Sequence, residues 1–84
     1  MLTLEQVEAL RRRPADRGNR VAAAIDAAGV TQVVVAAATG LPQPYISDVV
    51  RGRYQTITVA NARKFAEFFG CSIEDLFPAR QEVA

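Results

Sequence analysis

The sequence predicts an all-α fold: five short helices forming one domain, with an additional short helix in front of them. Three features predict it. Apolar residues recur at helical intervals, as in Leu4, Val7 and Leu10 or Phe65, Phe68 and Phe69. Thr3, Thr31, Thr58 and Ser72 each precede such a stretch and Gly29, Gly40, Gly52 and Gly70 each follow one, the residue types that cap and stop helices. The β-branched run Val33 to Val35 is followed by three alanines and has no second strand to pair with, so it too reads as helix.

Eighty-four residues allow a single domain with a small core. Half of them are hydrophobic and nearly a quarter charged, the balance of a folded chain and not a disordered one. No apolar run is long enough to span a bilayer, and Met1 to Leu10 lack the basic start and apolar centre of a signal peptide, so a cytoplasmic protein is expected. Histidine is absent and Cys71 stands alone, which excludes His-based catalysis and His/Cys metal centres. Without a Gly-rich phosphate loop or a recognisable pair of acids, neither an enzyme nor a cofactor is expected. Cys71 reads as a small core residue between two apolar helices.

The net charge of +1 hides an uneven distribution. Between Arg11 and Lys64 nine basic residues face Asp16, Asp26 and Asp48, whereas both ends of the chain are acidic. Such a bipolar chain either presents one face to phosphates or simply solvates its helices.

In chain order, residues 1–13 form an N-terminal extension. Thr3 and Gln6 have the spacing of a capping box, Leu4, Val7 and Leu10 make an apolar stripe, and Arg11 to Arg13 sit at the C-terminal end, where the helix dipole favours them. These arginines are a solvated helix end or an electrostatic arm that reaches phosphates. The stripe covers either its own domain, the default, or a partner subunit. Residues 14–78 form the main domain. Its first helix is expected from about Asp16 or Arg17 to Ala28, with Val21, Ala24, Ile25 and Ala28 inward and Gly18 and Asn19 weakening its start. Thr31 caps the next helix, which carries Val35 and Ala36 on one face and ends at Gly40. The N-terminal helix is expected to cover Val33 and Val34 of this helix.

A residue before proline avoids the α region while proline suits the first helical turn, which places Gln43 at the cap and starts the following helix at Pro44. Ile46 and Val49, three apart, point inward. After a loop, Thr58 caps a helix reaching about Phe69, whose Val59, Ala62, Phe65, Phe68 and Phe69 supply most of the aromatic core. Ser72 caps a last helix with Glu74 and Asp75 in its first turn, Ile73, Leu76 and Phe77 inward and Pro78 as its stop. Residues 79–84 are expected to fray.

The rest is organised around Thr31 to Arg53, where two short helices cross at a tight turn. The crossing needs a small residue, Ala36, and the turn one that accepts positive φ, Gly40. GVTQ…VAAATGLPQPYISDVVRG resembles the helix-turn-helix of the Cro/C1-type (XRE) repressor family, and FAEFFGCSIEDLF is similar to that family's closing segment. Together they cover about two-thirds of the chain. The resemblance implies a compact five-helix lambda-repressor-like domain that binds double-stranded DNA. It implies a transcriptional regulator, a homodimeric bacterial or phage repressor reading a palindromic operator through the major groove. An antitoxin that binds a toxin protein and regulates its own promoter is the alternative, and a protein-interaction module without DNA binding is a third.

The same resemblance assigns roles. The helix from Pro42 to Arg51 reads bases: Gln43 can pair with adenine, Ser47 can donate or accept, and Pro44 and the Tyr45 ring can touch a thymine methyl. Asp48 either accepts from cytosine N4 or pairs with Arg51. Thr31, Gln32, the Tyr45 hydroxyl, Arg51 and Arg53 are the expected backbone contacts. Pro42 and Pro44 depart from the family pattern and displace these roles along the helix. Ile25 and Val50 stand where many members have a buried Arg and Glu, a bridge that an apolar pair replaces without loss of stability.

Overall fold

Side-chain caps start four of the helices at the residues the sequence marks. Thr3 accepts from Gln6 N at 3.1 Å while Gln6 accepts from Thr3 N at 2.8 Å, closing the first capping box. Thr31 accepts from Val34 N and Thr58 from Asn61 N. Ser72 accepts from Asp75 N, and the Asp75 carboxylate accepts from Ser72 N at 2.9 Å. The computed structural model describes residues 1–54, 56–78 and the backbone of 82–83. Its helices are α1 (Leu4–Arg11), α2 (Val21–Ala28), α3 (Gln32–Thr39), α4 (Gln43–Val50), α5 (Val59–Phe69) and α6 (Ile73–Leu76). Among the described residues the fold is all-α apart from a two-residue parallel pair, β1 (Thr56–Ile57) and β2 (Glu82–Val83). The fraying expected of 79–84 lies outside the described residues except at Glu82 and Val83, which are strand.

The core gathers Val21 from α2, Val35 from α3, Ile46 from α4, Phe65 and Phe69 from α5, and Leu76 from α6, all fully buried. Phe77 closes it edge-on to Phe65, with ring centroids 5.8 Å apart. Two expected core residues are outside. Leu4 is 72 % exposed, and Leu2 takes its place because the Leu2 N–H donates to the Phe69 carbonyl at 2.9 Å, drawing the residues before α1 onto the end of α5. Val59 lies in the first turn of α5, past the edge of the face formed by Ala62, Phe65, Ala66 and Phe69.

The first helix folds onto its own domain. Val7 and Leu10 are buried, Gln6 Nε2 donates to the Ala27 carbonyl, and Arg11 Nε meets Asp75 Oδ1 at 2.6 Å. Arg20 ties the same region together by donating to the carbonyls of Arg13, Asp75 and Arg11. Burial raises the Asp75 pKa, but the hydrogen bonds from Arg11 and Ser72 outweigh it and hold the carboxyl below the ordinary aspartate range. Because α1 packs on α2 and α6, it does not cover α3, and Val33 and Val34 stay 58 % and 46 % exposed. Burial, reinforced by Asp75, pushes the Cys71 thiol up to about 11, so it is protonated at neutral pH and packs against the core.

The start of α2 also differs from expectation. It begins at Val21, because Gly18 adopts φ 83° and the chain turns through residues 15–19. Asn19 is buried and its Oδ1 accepts from Val21 N at 3.0 Å, so this residue ends the turn instead of continuing a helix.

Candidate nucleic-acid interface

The helix-turn-helix unit is built from α3, the turn at Thr39 to Pro42, and α4. Val35 and Leu41 are buried beside Ile46 and Val49, while Ala36 packs partly buried where small size is needed. Thr39 holds the turn, donating from Oγ1 to the Val35 carbonyl at 2.7 Å and accepting from Leu41 N. Gly40 adopts φ 76°, the left-handed conformation its position requires.

Helix α4 starts one residue earlier than expected. Pro42 is its N-cap with φ −61° and ψ 141°, Gln43 is the first helical residue and Pro44 the second. Gln43 takes helical geometry despite the bias of a residue before proline, and the Pro42 carbonyl already accepts from Ile46 N. The cost is small because N–H groups in a first turn lack helical partners, so a proline there removes nothing.

Burial of Ile46 and Val49 fixes the rotation of α4. Spacing then turns Pro44, Ser47, Asp48 and Arg51 away from the core, with Gln43 exposed at the N-terminal end. Pro44 and Arg51 are exposed; Ser47 and Asp48 are half-buried. Tyr45 is turned sideways: its ring lies 5.1 Å from that of Tyr54 and its hydroxyl accepts from Asn61 Nδ2 at 3.1 Å. On α3, Thr31 is exposed and occupied with its own helix cap, and Gln32 is half-buried beside it in the first turn.

Asp48 pairs with Arg53 at 3.7 Å, not with Arg51 as the i+3 spacing suggested. The reason is the way α4 ends. Gly52, at φ 75°, donates its N–H to Val49 O and Arg53 donates its own to Asp48 O, a Schellman closure that swings Arg53 back beside Asp48. The Arg53 side chain is 63 % exposed and that of Asp48 34 %, so the pair is open to water, contributes about 0–1 kcal/mol and is readily exchanged for another partner.

Three contributors were not assigned a role from the sequence. Asn19 donates from Nδ2 to the Val49 carbonyl at 2.8 Å and so anchors the C-terminal end of α4 from below. Arg17 packs its backbone against Gly52. Asn61 fixes the Tyr45 hydroxyl. An asparagine placed two residues before a helix was the one available signal; the partners of all three are remote in sequence. Ile25 and Val50 are partly buried against the core, as an apolar replacement for a charge pair should be.

Helix α3, the turn at Thr39 to Pro42 and the outward-facing α4 form a helix-turn-helix unit, the architecture of a class of nucleic-acid-binding domains. The helix-turn-helix family model matches residues 21–76, two-thirds of the chain, and the protein belongs to the Cro/C1-type (XRE) helix-turn-helix family. It is accordingly a DNA-binding transcription regulator of the XRE type, in a family that is generally not enzymatic. No curated protein and no solved structure matches the chain at a significant level. Among the described residues, no single helix is long and apolar enough to cross a membrane.

Proposed function

We propose that the protein acts as a homodimeric repressor that occupies a palindromic operator, with α4 of each copy in the major groove. The observation that carries this reading is the outward face of α4, where Gln43, Pro44, Ser47 and Asp48 lie between the exposed start of α3 and the exposed Arg51 and Arg53. Helix α4 is of a size to enter the groove, whose base edges carry a distinct donor and acceptor pattern for each base pair. In this reading Gln43 pairs with adenine N6 and N7, Ser47 bonds a base edge, and Asp48 leaves Arg53 to accept from cytosine N4. Pro44 contributes apolar contact with a thymine methyl. Thr31, Gln32, Arg51 and Arg53 hold the phosphates that set the register. The Tyr45 hydroxyl reaches a phosphate while remaining an acceptor for Asn61. One domain reads too few base pairs to choose an address, and two copies on a two-fold axis read half-sites about one helical turn apart.

Methylation interference on a bound duplex tests the groove assignment. Methyl groups on guanine N7, in the major groove, should block binding within each half-site, whereas methyl groups on adenine N3 should not. Interference confined to adenine N3 would refute a major-groove α4.

The exposed Val33 and Val34 favour a second reading, an antitoxin whose α3 surface also holds a toxin protein. A non-identical protein that copurifies in fixed ratio and is lost on Val33→Ser/Val34→Ser substitution supports it; copurification unchanged by that substitution refutes it.

A further inference from the structure

The turn between α1 and α2 rests against the end of α4. A Cβ placed on Gly52 would stand 2.9 Å from Arg17 Cβ and closer still to the Arg17 carbonyl oxygen, so the two backbones are in direct contact. The buried hydrogen bond from Asn19 to the Val49 carbonyl locks that contact from the other side. The Arg17 side chain therefore starts beside the residue that Arg51 and Arg53 flank.

Next to it a surface cleft of about 210 Å³ is lined by Arg13, Asp16, Arg17, Asn19, Arg20 and Val50 among others. Arg20 is committed to three backbone carbonyls. The guanidinium groups of Arg13 and Arg17 are exposed and make no hydrogen bond or ion pair among the described residues. Among the described residues Asp16 is the one carboxylate lining the cleft, against three arginines, so positive charge is in excess there and a polyanion relieves it.

We propose that Arg13 and Arg17 grip the sugar-phosphate backbone of duplex DNA where it passes the C-terminal end of α4, extending the contact surface beyond α3 and α4. The inference rests on the DNA-binding reading above and adds to it a second clamp, carried by residues outside the helix-turn-helix. Such a clamp reads no bases; it adds affinity to every duplex.

The test uses the full chain with two duplexes, one enriched by binding-site selection and one of scrambled sequence, titrated across a salt series. Arg13→Ala/Arg17→Ala should lower the slope of log K against log salt by about 1.8, two contacts at roughly 0.9 each, and weaken both duplexes by the same factor. Arg13→Lys/Arg17→Lys should restore the slope, since the charge remains. An unchanged slope in the alanine pair, while Arg51→Ala shortens it, overturns the second clamp and leaves the helix-turn-helix reading standing. Absence of any salt-dependent duplex binding by the wild-type chain overturns both.

Discussion

Gly40 and Gly52 share nearly the same left-handed backbone, φ 76° and 75°, yet replacing each by alanine should have very different consequences. An alanine in that conformation costs roughly 1–2 kcal/mol wherever it stands. At Gly40 a new Cβ meets nothing within 4 Å, so this backbone term is the whole effect. At Gly52 the Cβ would press on the backbone of Arg17, which cannot swing aside as a flexible side chain would. Relief requires the 15–19 turn to lift from α4, adding about 1–3 kcal/mol of overpacking. It also threatens the buried bond from Asn19 to the Val49 carbonyl. Urea unfolding of the two variants measures the difference. With a slope near 1 kcal/mol per molar for so small a domain, Gly52→Ala should unfold at a midpoint about 1–3 M below that of Gly40→Ala. Equal midpoints would show that the turn does not bear on the end of α4, and the structural basis for placing Arg17 beside the DNA contacts would go with it.

Other outcomes follow from the same geometry. Arg51→Ala should weaken binding to all duplexes and lower the salt slope by roughly 0.9, as loss of one phosphate contact does; an unchanged slope removes Arg51 from the backbone contacts. Gln43→Ala should cost on the order of 1–3 kcal/mol at one base position and spare the others, which a panel of single-base operator variants reads directly; a uniform loss denies it a base-reading role. The lowered Asp75 pKa means that the stability contributed by its ionised form is complete above the ordinary aspartate value of 3.8 and is lost as the pH falls through the lowered value. Removing Arg11 by Arg11→Ala should make unfolding free energy fall less steeply below pH 4, and an identical pH profile would count against the ion pair. Cys71, with its thiol raised to about 11, should react slowly with alkylating reagents at pH 7 and faster as the pH approaches that value, as followed by mass spectrometry.

What the sequence revealed was what is decided within a few residues. Thr3, Thr31, Thr58 and Ser72 cap helices because each hydroxyl reaches an N–H three positions on, a relation visible in any linear reading. The apolar pair Ile46 and Val49 likewise sets the face that α4 turns outward. The failures came where a distant partner decides. Leu2 displaces Leu4 because its N–H finds the Phe69 carbonyl, and α1 covers α2 and α6 instead of α3 because Arg11 finds Asp75. Asp48 meets Arg53 through a helix closure that its own spacing to Arg51 did not reveal. At Pro42 to Pro44 two local rules conflict, and the tolerance of a first turn for proline overrides the bias against a helical residue before it.

The central claim, that α4 reads a specific duplex as one half of a symmetric pair, is tested most directly by selecting bound sequences from random duplex DNA with the purified chain. Enrichment of an inverted repeat with half-sites about one helical turn apart is the expected result, with Gln43→Ala altering the preference at one position of each half-site. Recovery of sequences with no common motif, at a salt concentration where the wild-type chain still binds DNA, would contradict it.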